Sequence, residues 1–172
     1  MKNLEVLVRA FDLVRKKQAN VFLTIVGSPT PGKADEGRYY ERILNLVREL
    51  KLEDNVAFSR SVPHSETPRV YNEHDLFVNL TVTGSFDKTT LEAMACGAPV
   101  LVSNRSFREI FSSSLQSISI FEESNPISLA GKISDIISLS LVHRKELGRQ
   151  MRSLVIEKHG LSRLADKIIQ IL

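Results

Sequence analysis

The polar residues within residues 80–104, LTVTGSFDKTTLEAMACGAPVLVSN, are spaced along one loop and the helix that follows it. Ser85 and Asp87 can accept hydrogen bonds from the free N–H groups of a helix start, and Lys88 adds a positive charge there. Glu92 lies one turn further along, where a carboxylate can accept two hydrogen bonds from a vicinal diol. Free N–H groups and the helix dipole favour an anion at the same place. The spacing therefore fits a nucleoside diphosphate, with its phosphates at the helix start and its ribose at Glu92.

A plainer interpretation of the same residues is equally open on physical grounds. Glu92 could be a solvated helix residue, and Asp87 and Lys88 an exposed ion pair that contributes about 0–1 kcal/mol. Other chemistries are disfavoured, because the four histidines show no metal-ligand spacing to an acid or a cysteine. The sequence also lacks a Walker loop, a nucleophile elbow and a glycine-rich dinucleotide motif.

Two short apolar segments, and a stripe of apolar residues at helical spacing, are predicted to position these polar residues. Residues 76–80, LFVNL, have the composition of a buried strand, and residues 83–85 interrupt it as a turn does. A helix follows, with apolar residues at helical spacing: Leu91, Met94 and Ala95. Gly97 then ends this helix, and residues 99–102 form the next buried strand. The loop is thus predicted to connect the carboxyl end of a strand to the start of a helix.

The remaining chain repeats this alternation of strand and helix. Further strands are predicted at residues 21–27, 56–62 and 118–121, and Asn125-Pro126 is a strong helix start. Helical stripes are predicted around residues 4–14, 40–50, 129–137, 147–155 and 164–172. The alternation predicts a single α/β domain with a doubly wound, parallel, Rossmann-like sheet. Ligands of such sheets bind beyond the carboxyl ends of the strands.

Composition limits the partners that we expect. The 172 residues are 42% hydrophobic and 25% charged, with a net charge of +3 and one cysteine, Cys96. The small positive excess is scattered, so no nucleic acid is expected and a small anionic ligand is compatible. We expect neither a disulfide framework nor a transmembrane segment nor a leader peptide. These features predict a cytoplasmic domain, with a peripheral place at the membrane left open for a longer form of the protein.

The segment from Phe86 to Val102, above all residues 91–100, LEAMACGAPV, resembles the donor-site motif of the GT4-type (group 1) retaining glycosyltransferases of the GT-B fold. That family usually has a glutamate, seven residues and a second glutamate. The second is Glu92 here, and the first falls on Gly84. Residues 84–88, GSFDK, resemble the loop of a variant subset of this family, in which Gly-Ser and Asp-Lys stand at these places. The resemblance implies that Gly84, Ser85, Phe86, Asp87, Lys88 and Glu92 bind a nucleotide sugar.

The resemblance extends along the chain and implies a domain truncated at its N-terminus, spanning residues 1–172. Residues 2–11, 23–27 and 52–64 are similar to the family's second, C-terminal domain. By this likeness Lys2 is the lysine that grips the diphosphate, and Val62 borders the base. A first domain with the acceptor site, and an opening strand with Val-Gly-Arg, are missing.

The function implied is the donor-binding half of a retaining glycosyltransferase that needs neither metal nor cofactor. Its substrate would be a nucleotide-diphosphate sugar, and the chain alone is expected to be inactive. The alternatives are a non-catalytic nucleotide-binding or interaction module of the same fold, and an unrelated flavodoxin-like domain. The missing strand would lie between residues 21–27 and 76–80. Those two strands then either pair directly or leave open edges that invite self-association.

Overall fold

Helices and strands alternate along residues 3–82, 84 and 87–160, which are the residues that this computed structural model describes. Four strands are present there: β1 (Leu23–Val26), β2 (Val56–Ser59), β3 (Phe77–Asn79) and β4 (Val100–Val102). The α-helices are α1 (Leu4–Arg15), α2 (Ala34–Glu49), α3 (Thr67–Asn72), α4 (Lys88–Ala95), α5 (Ser113–Ser119), α6 (Pro126–Ile137) and α7 (Leu141–His159). Single 3-10 turns precede α3 (His64–Glu66) and follow β4 (Arg105–Glu109). The predicted α/β class is confirmed.

The sheet consists of two parallel halves. β1 pairs with β2, and Leu23 lies opposite Val56. β3 pairs with β4, and Phe77 lies opposite Val100. No strand pairing joins β1 to β3 within the described ranges. Of the two alternatives expected for residues 21–27 and 76–80, direct pairing is therefore wrong, and the two strands leave open edges.

Helix α1 packs into the cores of both halves. Its residues Val8 and Phe11 belong to a cluster with α2, β1 and β2. The neighbouring turns of α1 join a larger cluster with α4, β4, α5, α6 and α7 through Val6, Leu7, Ala10 and Val14. Because the two clusters meet at α1, this helix holds the half-sheets together across the gap.

Helix α7 lies against α4 through a very close backbone contact. A Cβ atom placed on Gly148 would lie 2.0 Å from the carbonyl oxygen of Gly97, in the turn between α4 and β4. Nearby, Arg152 Nη1 donates to the carbonyl oxygen of Ala95 at 2.7 Å. This contact fixes the carboxyl end of α4 and so helps to set the position of its amino end.

The strand predicted at residues 118–121 is wrong. Ser112 accepts a hydrogen bond from the N–H of Leu115 and so begins α5, which continues through Ser119. Leu115 and Ser119 lie four residues apart on the buried face of that helix. Only Ile120 reaches the sheet, as a single parallel bridge to Val102. The helix cap at Ser112 therefore outweighs the strand-like alternation of residues 118–121.

The C-terminal part of the chain completes the comparison of predicted with observed elements. Asn125 caps α6 as predicted, and its side chain accepts from the N–H groups of Ile127 and Ser128. The helix predicted at residues 164–172 lies outside the described residues. None of the helices in the described part is long and apolar enough to cross a membrane.

Candidate functional site

The start of α4 is held by a buried network of hydrogen bonds. Asp87, which is 7% exposed, caps the helix by accepting from the N–H of Thr90 at 3.4 Å. Its two carboxylate oxygens also accept from the hydroxyls of Thr89, at 2.8 Å, and Thr90, at 2.6 Å. Asn79, the last residue of β3, donates to the Thr89 hydroxyl at 3.0 Å. The cap predicted for Asp87 is confirmed, and it fixes α4 to the carboxyl end of β3.

Lys88 stands at the first position of α4, where a cation is unfavourable without an anion nearby. Its side chain is exposed and makes no ion pair or hydrogen bond with any residue that the structure describes. The positive end of the helix dipole disfavours a lysine there by about 0.3–1 kcal/mol. A bound anion would reverse that sign, because it would be attracted both by Lys88 and by the free N–H groups of the first turn.

Glu92 lies four residues after Lys88, on the same face of α4 and about 6 Å further along the helix axis. Its carboxylate is half-buried, and Oε1 lies 3.9 Å from Nε2 of His64, in the segment between β2 and α3. Tyr71 of α3 lies beside it. Burial, and then the charge of Glu92, raise the pKa of Tyr71 to about 12. Tyr71 therefore stays neutral and able to donate a hydrogen bond at physiological pH.

A cavity of about 230 Å³ opens beside a neighbouring face of α4, toward the 3-10 turn after β4. It is lined by Gly84, Asp87, Leu91, Asn104, Ser106, Phe107 and Ile110. Neither Lys88 nor Glu92 lines it. Gly84 has φ of +94°, in the left-handed region that favours glycine, so the loop turns sharply here. Asn104 fixes the opposite wall by accepting from the N–H of Ser106 at 3.0 Å.

The predicted site residues divide into four groups. Lys88 and Glu92 share one face of α4, while Gly84 and Asp87 line the cavity beside the start of that helix. Val62 is half-buried in the segment after β2, two residues before the histidine that approaches Glu92. The fourth group, Lys2, Ser85 and Phe86, lies outside the described residues, so their roles stay predictions.

Sequence reasoning missed several neighbours of these residues. His64 and Tyr71 approach Glu92 only because α3 packs beside α4. Asn104 carried a usable signal, because it directly follows the carboxyl end of a buried strand, where ligands of parallel sheets bind. Among the described residues no cluster of three or more histidine, cysteine or acidic side chains could hold a metal ion.

Replacing Lys88 by alanine should show whether its charge acts in ligand binding or in the stability of the fold. We expect Lys88→Ala to leave the melting temperature unchanged or slightly raised, because a cation is lost from an unfavourable helix position. The affinity for the nucleoside diphosphate that binds best among UDP, GDP and ADP should fall about tenfold, corresponding to about 1.4 kcal/mol, while the affinity for its nucleoside should hardly change. Calorimetry with both ligands measures this difference.

The matched control is Lys145→Ala, which removes another exposed lysine, on α7, without a partner among the described residues. It should change neither affinity. Equal weakening of the nucleoside diphosphate and its nucleoside by Lys88→Ala would show that Lys88 does not contact phosphate.

Two half-sheets of parallel strands, covered by helices and with an open helix start at their carboxyl ends, define a Rossmann-like α/β domain. The family described as glycosyl transferases group 1 matches residues 1–154. The chain belongs to this family.

Relatives agree with that membership. Spore coat protein SA of Bacillus subtilis is 26% identical over 99% of this chain and 45% of its own length. HepE of Anabaena, solved with UDP and glucose, superposes with a TM-score of 0.82 at 18% identity, over 99% of this chain and 44% of its own. The C-terminal domain of the group 1 glycosyl transferase LpcC from Francisella tularensis gives 0.79 at 21% identity, over 93% of this chain and 80% of that one. The matches thus cover between 21% and 45% of the length of the curated relatives, and the solved structures show the fold of this chain.

Proposed function

We propose that residues 1–172 form the C-terminal, donor-binding domain of a retaining glycosyltransferase that uses a nucleotide-diphosphate sugar. The observation that carries this proposal is the pairing of an unpartnered cation, Lys88, with a half-buried carboxylate, Glu92, on one face of α4. The free N–H groups and Lys88 suit a diphosphate, and Glu92 suits a ribose diol one helical turn away. Family membership supports the same assignment of roles.

In this proposal the domain stabilises the negative charge that grows on the leaving diphosphate. Lys88 and the start of α4 would face this charge, and Lys2 would add a second cation. As the likeness to GT4-type enzymes implies, the donor phosphate itself helps to deprotonate the acceptor, and no metal or cofactor takes part. A separate N-terminal domain would supply the acceptor site. We place the reaction in cytoplasmic polysaccharide biosynthesis.

The second candidate is a nucleotide-binding or interaction module without activity. Two observations favour it for the chain taken alone: the open gap between β1 and β3, and Gly84 at the position of the family's first glutamate. The glycosyltransferase and a nucleotide-binding module both require nucleotide binding at Glu92, whereas a pure interaction module does not. The first two differ in whether a longer form of the protein transfers sugar.

Loss of the Glu92 charge tests this shared nucleotide binding. We expect Glu92→Gln to weaken the nucleotide that binds best among UDP, GDP and ADP by roughly 1–3 kcal/mol, the range for a hydrogen bond to a charged group. This corresponds to about 5- to 150-fold in the dissociation constant. Titration calorimetry on the two proteins gives the comparison.

Glu49→Gln is the matched control, because Glu49 is an exposed residue at the end of α2. It should leave the affinity unchanged. If Glu92→Gln binds all three nucleotides as tightly as the parent, Glu92 does not belong to the site and the proposed function loses its main support.

A further inference from the structure

The carboxylate of Glu92 is not fixed in direction by its charged neighbour. Its side chain is 29% exposed, and its ion pair among the described residues is with Nε2 of His64, at 3.9 Å. That separation is too long for a hydrogen bond, and the His64 side chain is itself exposed. A long glutamate side chain loses rotamer freedom when a ligand orders it. A carboxylate that is to bind a ligand well therefore needs a second, firmer support.

Tyr71 of α3 has the rigidity that such a support requires. Its ring meets the ring of Phe77, at the start of β3, edge to face, with centroids 5.4 Å apart and planes at 89°. This is one of the preferred arrangements of two aromatic rings. Tyr71 also packs against the larger core cluster, to which α4 and β4 contribute. Because the ring is fixed from both sides, the hydroxyl group at its end keeps a defined position.

The hydroxyl group of Tyr71 lies beside the Glu92 carboxylate because α3 packs beside α4. Burial raises the pKa of Tyr71 to about 12, and the charges of Glu92, Cys96 and Asp87 act in the same direction. A hydrogen bond between the Tyr71 and Glu92 side chains adds to this shift. The phenol is therefore neutral at physiological pH, and a neutral phenol can donate one hydrogen bond.

The Glu92 carboxylate can accept this hydrogen bond and still bind a ligand. An ionised carboxylate offers about four lone-pair sites on its two oxygens. One hydrogen bond from Tyr71 leaves enough of them for the two hydroxyl groups of a vicinal diol. A hydrogen bond to an ionised acceptor is also roughly twice as strong as one between neutral groups. The fixed phenol is thus able to direct the carboxylate without occupying it.

We propose that Tyr71 is a positioning residue, whose hydroxyl group donates to the Glu92 carboxylate and directs it toward the ribose diol of the nucleotide. This role rests on the proposed function, in which Glu92 binds that diol. Tyr71 acts through Glu92 and does not touch the ligand. Without the hydroxyl group, the carboxylate is free to turn toward His64 or toward solvent, and the nucleotide must order it on binding.

The test is titration calorimetry on Tyr71→Phe, which removes the hydroxyl group and keeps the ring against Phe77. The ligands are the nucleoside diphosphate that binds best among UDP, GDP and ADP, and its 2′-deoxy form, which lacks one hydroxyl of the diol. The parent should bind the ribose form about tenfold more tightly, as expected for one hydrogen bond to a charged group. Tyr71→Phe should reduce this preference to about threefold or less, by weakening the ribose form alone.

Tyr40→Phe is the matched control. Tyr40 of α2 makes the same kind of edge-on contact with Phe58 of β2, with ring centroids 5.4 Å apart and planes at 74°. Its replacement removes a hydroxyl group from an equally half-buried tyrosine that is remote from Glu92 in the fold. The preference for ribose should stay as in the parent. A role of Tyr71 in packing alone would weaken the ribose and 2′-deoxy forms equally.

The same comparison in a Glu92→Ala background shows whether Tyr71 acts through Glu92. Glu92→Ala should itself lose the preference for ribose, and adding Tyr71→Phe should then change nothing, because the two residues form one unit. A preference that Tyr71→Phe leaves intact in the parent would overturn the proposal. An effect of Tyr71→Phe on ribose binding that persists in the Glu92→Ala background would also overturn it, since Tyr71 would then contact the nucleotide directly.

Thermal unfolding of the four proteins without ligand separates this proposal from the proposed function. Tyr71→Phe should lower the melting temperature by about 2–4 °C in the parent, and hardly at all in the Glu92→Ala background. If this coupling is present but no nucleotide binds, the hydrogen bond of Tyr71 to Glu92 stands and the proposed function fails. If Glu92→Ala weakens the nucleotide but the coupling is absent, the proposed function stands and the positioning role of Tyr71 fails.

Discussion

Replacing Gly148 by alanine should lower the free energy of unfolding by about 3 kcal/mol, the upper part of the range for an overfilled core. The new Cβ would lie 2.0 Å from the carbonyl oxygen of Gly97 and 2.9 Å from its carbonyl carbon. These are backbone atoms, so no side-chain rotation relieves the clash. Gly97 has φ of +80°, which restricts how the turn can move. Helix α7 would have to shift away from α4.

Thermal and urea unfolding of the parent and Gly148→Ala measure this effect. A loss of 3 kcal/mol corresponds to roughly 6–12 °C in melting temperature for a chain of this size. Gly131→Ala in α6 is the matched control, because a Cβ there meets nothing within 4 Å. It should be neutral or stabilise by up to about 1 kcal/mol. A Gly148→Ala protein as stable as its parent would contradict the close contact of α7 with the turn.

The 172-residue chain on its own should transfer no sugar above the rate of spontaneous donor hydrolysis. The described residues form only one wall of the site. Lys88 is exposed, Val82 is 54% exposed, and the His64 side chain beside Glu92 is 80% exposed. Water therefore reaches the place where the donor would react, and nothing among the described residues positions an acceptor. Positioning of two reactants alone can account for about 7–11 kcal/mol of a reaction barrier.

The measurement is an assay of labelled UDP-, GDP- and ADP-sugars with a panel of sugar and lipid acceptors. A longer version that includes what the gene encodes upstream of Met1 is assayed beside it. Calorimetry with the best-bound nucleotide verifies that the short chain is folded. Transfer by the short chain at the rate of the longer one would refute its assignment as half of an enzyme.

Structural features that depend on only a few neighbouring residues, such as helix caps, were predicted correctly. Asp87 and Asn125 cap their helices because a side-chain oxygen reaches an N–H only two or three residues away. The same locality explains the error at residues 118–121, where the cap at Ser112 lies outside the segment that looked like a strand. The alternation of apolar segments was sufficient to predict the α/β class.

Contacts between segments that are far apart in the sequence could not be predicted from such local patterns. His64 and Tyr71 approach Glu92 across 28 and 21 positions of sequence, through the packing of α3 beside α4. The cavity wall at Phe107 and Ile110 depends on how the chain turns after β4. The gap in the sheet was predicted as one of two alternatives, and only the pairing of the strands decided between them.

The packing of α1 also has a consequence for synthesis of the protein. Asn3, at the start of α1, bonds to Ser124, and Gln18, just after it, bonds to Ser138; both partners flank α6 and lie about 120 positions later in the chain. At 5–20 residues per second, the ribosome needs on the order of 10 s to make that length. During this interval the apolar face of α1 has no native partner on α6. Helix α1 thus waits for α6 long after it has itself been made, which makes its apolar face a natural binding site for a chaperone on the nascent chain.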